Sequence, residues 1–307
     1  MSDPMMRVVA FSRYGDSSVL ELGERAVPAI RPGEVLVHVA AAGVNPADVK
    51  WRAGMFASSR PLSFPHVPGY DVSGVVAKSD EPNLPVGARV AAILDPLRQG
   101  GYAEYAAVGA DRVAIVPSSV GEAVAAAVPT PGLTGVQLIE EQLDAQPGQT
   151  VLLTGATGAV GRFALHAALR RGVRVVAAVR AAQRDLALQL GASAVIALGE
   201  TSWDGAAFDH VADTVGGAAV ADLCRHLRPD GRIRTVSTTP IQSEGLSTTP
   251  IFFPVHPDAA RLAQLLEAIG AGTLEMPLTR QLPLAEAAEA HRLIDSGAAG
   301  GKIVLLC

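Results

Sequence analysis

Three glycines, Gly155, Gly158 and Gly161, fall three residues apart in TGATGAVG, between the apolar run TVLLT and the helix-like stretch RFALHAALRR. Where a buried strand turns into a helix, backbone N–H groups and the positive helix end converge on one point, an arrangement that suits a phosphate. Gly158 lets the backbone approach a pyrophosphate, and Gly161 lets the helix pack close on its sheet. The spacing is GxxGxxG, not the commoner GxGxxG, and glycine turns alone are widespread. The flanking strand and helix are what turn the motif into a dinucleotide site. The next strand, VRVVAAV, runs into Arg180, with Arg184 one helical turn further on. An acidic residue there would bond the adenosine ribose hydroxyls and favour NAD. Two guanidinium groups suit a 2′-phosphate, which arginine bonds in bidentate fashion. Arginine is also ordinary at a solvated helix start, but cations there oppose the helix dipole unless an anion compensates. NADPH is the expected cofactor.

The elements that must hold these residues are legible as two kinds of pattern. In the first third, MRVVAFS, EVLVHVAAAGV, VSGVVAKS, ARVAAIL and YAEYAAV are short apolar or alternating runs split by PG, GY and QGG turns, which predicts a small curled antiparallel β domain. NPADVKWRAG interrupts it as one short helix, with Asn45 as its cap and Pro46 at its first position. From about residue 121 the strands TVLLTG, VRVVAAV, SAVIAL, FDHVADTV and GRIRTVS alternate with helical stretches. That alternation means crossover units and a parallel, doubly wound sheet. The tail reads as helices PDAARLAQLLEAIGAG and LAEAAEAHRLIDSG and a last strand, KIVLLC. The expected fold class is therefore α/β, with domains over 1–120 (β), 121–255 (Rossmann, cofactor-binding) and 256–307 (a returning segment). No internal repeat or low-complexity segment stands out.

Composition narrows the function classes. At 307 residues and 49% hydrophobic, the chain has ample core for two domains. The net charge of −5 argues against nucleic acid or an anionic membrane as the main partner. The two cysteines, Cys224 and Cys307, form no CxxC, so a disulfide framework or structural zinc cluster is not expected, and a reducing cytoplasm fits. The N-terminal stretch has no apolar core of signal-peptide length, and no segment approaches the ~20 apolar residues of a membrane span.

The motifs AAGVNPADVKWRAG, VPGYDVSGVV, GGYAEYAAV, GLTG, TGATGAVG, DTVGG and AEAAEAHRLIDSGAAGGKIVLL occur in this order over nearly the whole chain. Together they resemble the medium-chain dehydrogenase/reductase superfamily, in the zinc-independent quinone oxidoreductase branch that includes zeta-crystallin and plant enone and alkenal reductases. The resemblance implies a GroES-like β-barrel catalytic domain completed by the C-terminal segment, a Rossmann domain, a homodimer, and NADPH-dependent reduction in the cleft between domains. It also implies that Asn45 and Thr134 lie at the nicotinamide, that Thr157, Ala159 and Val160 lie near the pyrophosphate, and that Val215, Ser237 and Phe253 are further cofactor contacts. An aromatic beside a proline, as at Phe253, is also ordinary core packing. Zinc-dependent relatives carry a Cys where this chain has Asn45 and a His where it has Tyr70. His66 near Asp71 reads as a turn or surface pair, and the other histidines suggest no ligand set, so no metal is expected.

Without a Lewis acid, hydride transfer to an isolated ketone leaves an alkoxide unstabilised. In a quinone or α,β-unsaturated carbonyl the charge spreads into an enolate that a few donors can hold. Asn45 and Lys50 are the candidate donors; otherwise they are a helix cap and a solvated lysine. The resemblance favours Lys50, because enone-reducing relatives carry a lysine in this NPxDxK context where many bacterial quinone reductases have Tyr. Tyr70 is either a proton donor or a turn anchor. The expected partner is a small hydrophobic conjugated carbonyl or quinone. Rival readings are a non-catalytic NADPH-binding redox sensor or crystallin-like protein, and an enoyl-thioester reductase, for which no basic patch is evident. The polar, proline-flanked STTPIQSEGLSTTPIFFP fits a site gate or a subunit interface.

Overall fold

The computed structural model describes residues 4–200 and 203–307; Met1 to Asp3, the head of the N-terminal stretch read for a leader, lie outside the described residues. The runs of the first third form β1 (Met5–Ala10), β2 (Glu21–Ala26), β3 (Glu34–Val44), the helix α1 (Pro46–Arg52), β4 (Asp71–Ser79), β5 (Arg89–Ile93), β6 (Tyr105–Gly109) and β7 (Val113–Ile115). Helices α2 (Glu122–Ala126) and α3 (Pro129–Gln137) follow. The alternating part is β8 (Thr150–Thr154), α4 (Ala159–Arg170), β9 (Arg174–Val179), α5 (Arg184–Gln189), β10 (Ala194–Ala197), β11 (Phe208–Asp213), α6 (Ala218–Cys224), β12 (Leu227–Thr235) and β13 (Ile251–Phe252). The tail adds α7 (Ala259–Gly270), β14 (Leu278–Pro283), α8 (Ala287–Asp295) and β15 (Lys302–Leu306). No helix among the described residues is long and apolar enough to cross a membrane.

The chain divides into two units, Met1–Thr130 with Pro257–Cys307, and Pro131–His256. The first break thus falls at Thr130, ten residues beyond the expected 120. Helix α2 belongs with the strands because Ser73 Oγ donates to the Glu122 carbonyl at 2.7 Å and Arg89 Nε to the Glu122 carboxylate at 2.6 Å.

In the first unit a seven-stranded sheet runs β14-β15-β3-β4-β5-β7, with β6 also paired to β3. The long strand β3 is buried along most of its length, so its side chains serve the interior on both faces. Val37, Val72, Tyr102, Leu284 and Leu305 meet in one apolar cluster. The last strand, β15, pairs antiparallel with β3, Ile303 opposite Val44. Its other neighbour, β14, is absent from the sequence reading, because LTRQLP is exposed along most of its length and shows little apolar alternation.

The second unit is a parallel sheet of order β10-β9-β8-β11-β12-β13. Its central strand β11 is buried throughout, although it carries Asp209, His210 and Asp213 among its six residues. From β8 the order runs one way through β9 and β10 and the other through β11, β12 and β13. That reversal is the place where such sheets open a crevice beyond the carboxyl ends of their strands.

Candidate functional site

In the second unit the glycine turn lies at that reversal, between β8 and α4. Gly155 takes a left-handed backbone, φ +66°, that a side chain would strain, and a Cβ there would sit 2.4 Å from Thr214 Oγ1. At Gly161 a Cβ would come within 2.0 Å of the Gly155 carbonyl oxygen. These two glycines let the turn and helix close on each other. Gly158 differs: it is exposed, and a Cβ would meet only the Gly155 carbonyl oxygen, at 3.2 Å. Its open side, at the N-cap of a twelve-residue helix, is the approach a pyrophosphate needs.

The neighbouring strand ends are tied together by Asp213, which is fully buried. Its Oδ1 accepts from Thr154 Oγ1 at 2.6 Å and from the Val215 and Gly216 backbone N–H groups, while Oδ2 accepts from Thr235 Oγ1 at 2.6 Å. One carboxylate thus holds the ends of β8, β11 and β12. Ser237 Oγ then donates to the Val215 carbonyl at 2.8 Å and clasps the two following loops. Val215 is exposed, Ser237 is half-buried, and Thr134 and Phe253 are buried.

At the end of β9, Arg180 is exposed and its guanidinium makes no hydrogen bond or ion pair among the described residues. Arg184 is engaged: Nη1 reaches the Val195 carbonyl at 3.3 Å and Nη2 the Glu200 carboxylate at 3.5 Å. The two guanidinium groups expected to act as a pair therefore have different neighbours.

In the first unit, α1 starts at Asn45, whose backbone N–H donates to the Asp48 carboxylate at 2.8 Å. Asn45 is the N-cap of α1, as expected, with Asp48 closing a capping box, and its amide also bonds beyond the helix. Its nitrogen donates to Asp71 Oδ2 at 2.9 Å, and its oxygen accepts from Lys302 Nζ at 2.6 Å. Thr130 donates to Asp71 Oδ1 through both its backbone N–H, at 2.9 Å, and its hydroxyl, at 2.6 Å. Asn45, Asp48, Asp71 and Lys302 are all buried. Burial pushes the Asp71 carboxyl up and the Lys302 ammonium down, and each charge opposes the other's shift. Lys50 is half-buried, and desolvation lowers its ammonium below the usual lysine value. The Trp51 indole N–H donates to the Tyr70 hydroxyl oxygen. Burial, then the Asp48 charge, raises the Tyr70 phenol well above its ordinary value. His66 is no surface pair: it is buried, packs edge-on to Phe11 at 5.5 Å, and is driven down to about 4 by desolvation.

Residues 31–118 match the alcohol dehydrogenase GroES-like domain, and residues 190–305 match the zinc-binding dehydrogenase family. The 2-methylene-furan-3-one reductase of Solanum lycopersicum is 30% identical over 98% of this chain and 79% of that protein. The quinone oxidoreductase of Coxiella burnetii superposes with a TM-score of 0.88 at 28% identity, covering 99% of this chain and all of that one. A mycobacterial protein complexed with NADPH superposes with a TM-score of 0.83 at 25% identity, covering 98% of this chain and 100% of that one. The chain belongs to the medium-chain dehydrogenase/reductase superfamily, in its quinone oxidoreductase branch.

As a member, this oxidoreductase binds a nicotinamide dinucleotide. The glycine turn and the strand ends tied by Asp213 are the residues that fit it. The zinc in the matched family's description finds no such fit: among the described residues no three His, Cys, Asp or Glu side chains are grouped to hold an ion. Thr134, Gly155, Thr157, Gly158, Ala159, Val160, Arg180, Arg184, Val215, Ser237 and Phe253 lie in the second unit, and Asn45, Lys50 and Tyr70 in the first. The sequence reading missed Asp48, Asp71, Asp213 and Lys302. The one signal for them was their place inside motifs already singled out, NPADVK, GYD, DTVGG and GGK.

Proposed function

We propose that the oxidoreductase reduces small conjugated carbonyls or quinones with NADPH and without zinc. The observation that carries this reading is α1 itself. It sets a half-buried Lys50 ammonium beside Trp51, which holds Tyr70, in a unit that groups no metal-ligating side chains. The bound cofactor supplies the hydride. Lys50 offers an ammonium to the oxygen on which negative charge develops, a preorganised donor being worth most where water is scarce. Tyr70, whose oxygen already accepts from the indole, keeps its hydroxyl hydrogen free to donate. Asn45, locked by Asp71 and Lys302, fixes the start of the helix that carries Lys50 and Trp51.

NADPH is preferred in this reading because Arg180 stands unpaired at the end of β9. A neighbour's NADPH complex and relatives named quinone oxidoreductase and furanone reductase support it. Homodimerisation and a cytoplasmic setting belong to the same proposal. For the dimer, Ile251 and Phe252 of β13 are 49% and 50% exposed at the open edge of the six-stranded sheet. Light scattering on the eluting peak tests the dimer. NADPH oxidation followed against enones, alkenals and quinones tests the activity. Turnover with one of these classes, unaffected by a chelator, is expected; stoichiometric NADPH binding with no turnover would return the sensor reading.

A further inference from the structure

Asp48 takes no part in the chemistry assigned above, yet it is the most exacting group in the first unit. It is 1% exposed. Its Oδ2 accepts from the Asn45 backbone N–H at 2.8 Å and, more loosely, from the Tyr102 hydroxyl at 3.4 Å. Its Oδ1 is buried with no hydrogen-bond partner. Asp48 also lines a small pocket with Trp51, His66, Tyr70 and Arg98, of about 10 Å³. That is space for about one water.

Charge counting decides the state of this carboxyl. Asp48, Asp71 and Lys302 are buried together, and one cation cannot neutralise two carboxylates. Asp71 has the stronger claim on the charge, with Lys302 Nζ at 3.5 Å, the Asn45 amide and two donors from Thr130. Asp48 forms no ion pair among the described residues. Two donors already occupy its Oδ2, which leaves Oδ1, buried without a hydrogen-bond partner, as the oxygen able to carry a proton. His291 completes the chain: its Nε2 lies 3.1 Å from the Tyr102 oxygen, and it donates there if Tyr102 donates to Asp48.

We propose that Asp48 stores a proton on Oδ1 and reloads Tyr70 through the pocket they share. This rests on the reductase reading above. As the substrate accepts hydride, the Tyr70 O–H bond breaks and its proton passes to the substrate oxyanion. The Asp48 Oδ1–H bond then breaks, and that proton travels through one pocket water to the Tyr70 oxygen. Asp48, left as a carboxylate, keeps its Asn45 and Tyr102 donors until solvent returns a proton. Both electrons arrive with the hydride, so these are proton transfers only.

The acidities run the right way. Tyr70, raised by burial, is by itself a weak acid and needs a stronger one behind it. Asp48 is pushed up by desolvation to about 7, with Asp71 raising it further and the Asn45 backbone N–H and the Lys302 charge opposing. Of the other groups around it, burial lowers His66 to about 4 and His291 to about 3 and raises Tyr102, Lys302 is paired with Asp71, Arg52 with Asp295 and Arg98 with Glu34.

The full-length protein with NADPH and a reactive enone provides the test. In the wild type kcat should fall above pH ~7 and show a solvent deuterium isotope effect. Asp48→Asn keeps the shape and the acceptor for Asn45 but has no proton to give. It should lower kcat by ~10²-fold, abolish the alkaline limb and leave NADPH affinity by fluorescence unchanged. A merely structural role would lower activity at every pH and leave the limb in place, and that result would overturn the proposal. Infrared difference spectra of the protein alone supply a second readout. A protonated-carboxyl band that vanishes across neutral pH is expected, and its absence in the wild type would overturn the proposal even if Asp48→Asn failed to fold. No turnover by the wild type with any conjugated carbonyl or quinone would remove the reductase reading and the reservoir together. Wild-type turnover with the limb intact in Asp48→Asn would remove the reservoir alone.

Discussion

Lys302 donates to the Asn45 amide oxygen at 2.6 Å from a position 257 residues further along the chain. The last strand thereby reaches into the start of the helix that carries the candidate chemistry, and the return of the C-terminal segment becomes part of building the site.

Replacing Lys302 by Met would leave Asp71 buried without its cation and the Asn45 oxygen without its donor. Removing one partner of a buried pair costs about 3–5 kcal/mol. Urea unfolding monitored by Trp51 fluorescence should show a loss of that order. Pairing the change with Asp71→Leu should recover part of it, because the stranded charge is then gone. Equal losses in the single and double variants would mean that the pair is not the source.

Lys50→Met keeps the apolar stem and removes the ammonium. Loss of one preorganised donor to a developing oxyanion lowers turnover by ~10²–10³. Steady-state kinetics with a reactive enone should show the loss in kcat, with NADPH affinity little changed. Near-normal kcat would return Lys50 to a solvated surface role.

Arg180 and Arg184 should differ in weight. Arg180→Ala removes a free guanidinium and should weaken NADPH by about 1.5–3 kcal/mol, roughly tenfold or more, without weakening NADH. Arg184→Ala should change the ratio of the two affinities less, since Val195 and Glu200 already engage that side chain. Titrating each cofactor into each variant decides it, and an unchanged ratio in Arg180→Ala would withdraw the phosphate role.

Acid should destabilise the first unit through its buried histidines. Burial lowers His66 to about 4 and His291 to about 3. The unfolded chain, with histidines near 6.5, takes up protons first, so stability is full above that value and is lost as pH falls toward 4. Asp48 works in the opposite sense: raised to about 7, it favours the folded state at low pH and loses that contribution as pH rises from about 4 to 7. Melting temperatures across this range should show a shallower acid-side decline in His66→Phe, whose ring can keep the edge contact with Phe11. An identical decline would place the acid sensitivity elsewhere.

What the sequence determined by itself was whatever is written in local pattern. Alternating and continuous apolar runs specified the antiparallel and the parallel sheets, because side-chain period reports which faces are buried. The three glycines specified a strand-to-helix turn, since a side chain at Gly155 would be strained at φ +66° and a Cβ at Gly161 would meet a carbonyl oxygen at 2.0 Å. Arg180 and Lys50 were visible as charges in telling places. Local pattern reports nothing about which distant side chain a polar residue will meet. Asn45 looked like a cap, and only the pairing of β15 against β3 made it the junction of Asp71 and Lys302. Arg184 looked free, and only the placement of Glu200 occupied it. Nothing local marked Asp213 or Asp48; burial and partners assigned one to tying three strand ends and the other to a carboxyl with an unpartnered oxygen. Charge state and orientation depend on desolvation and on contacts between residues far apart in the chain, and these exist only once the tertiary structure has formed.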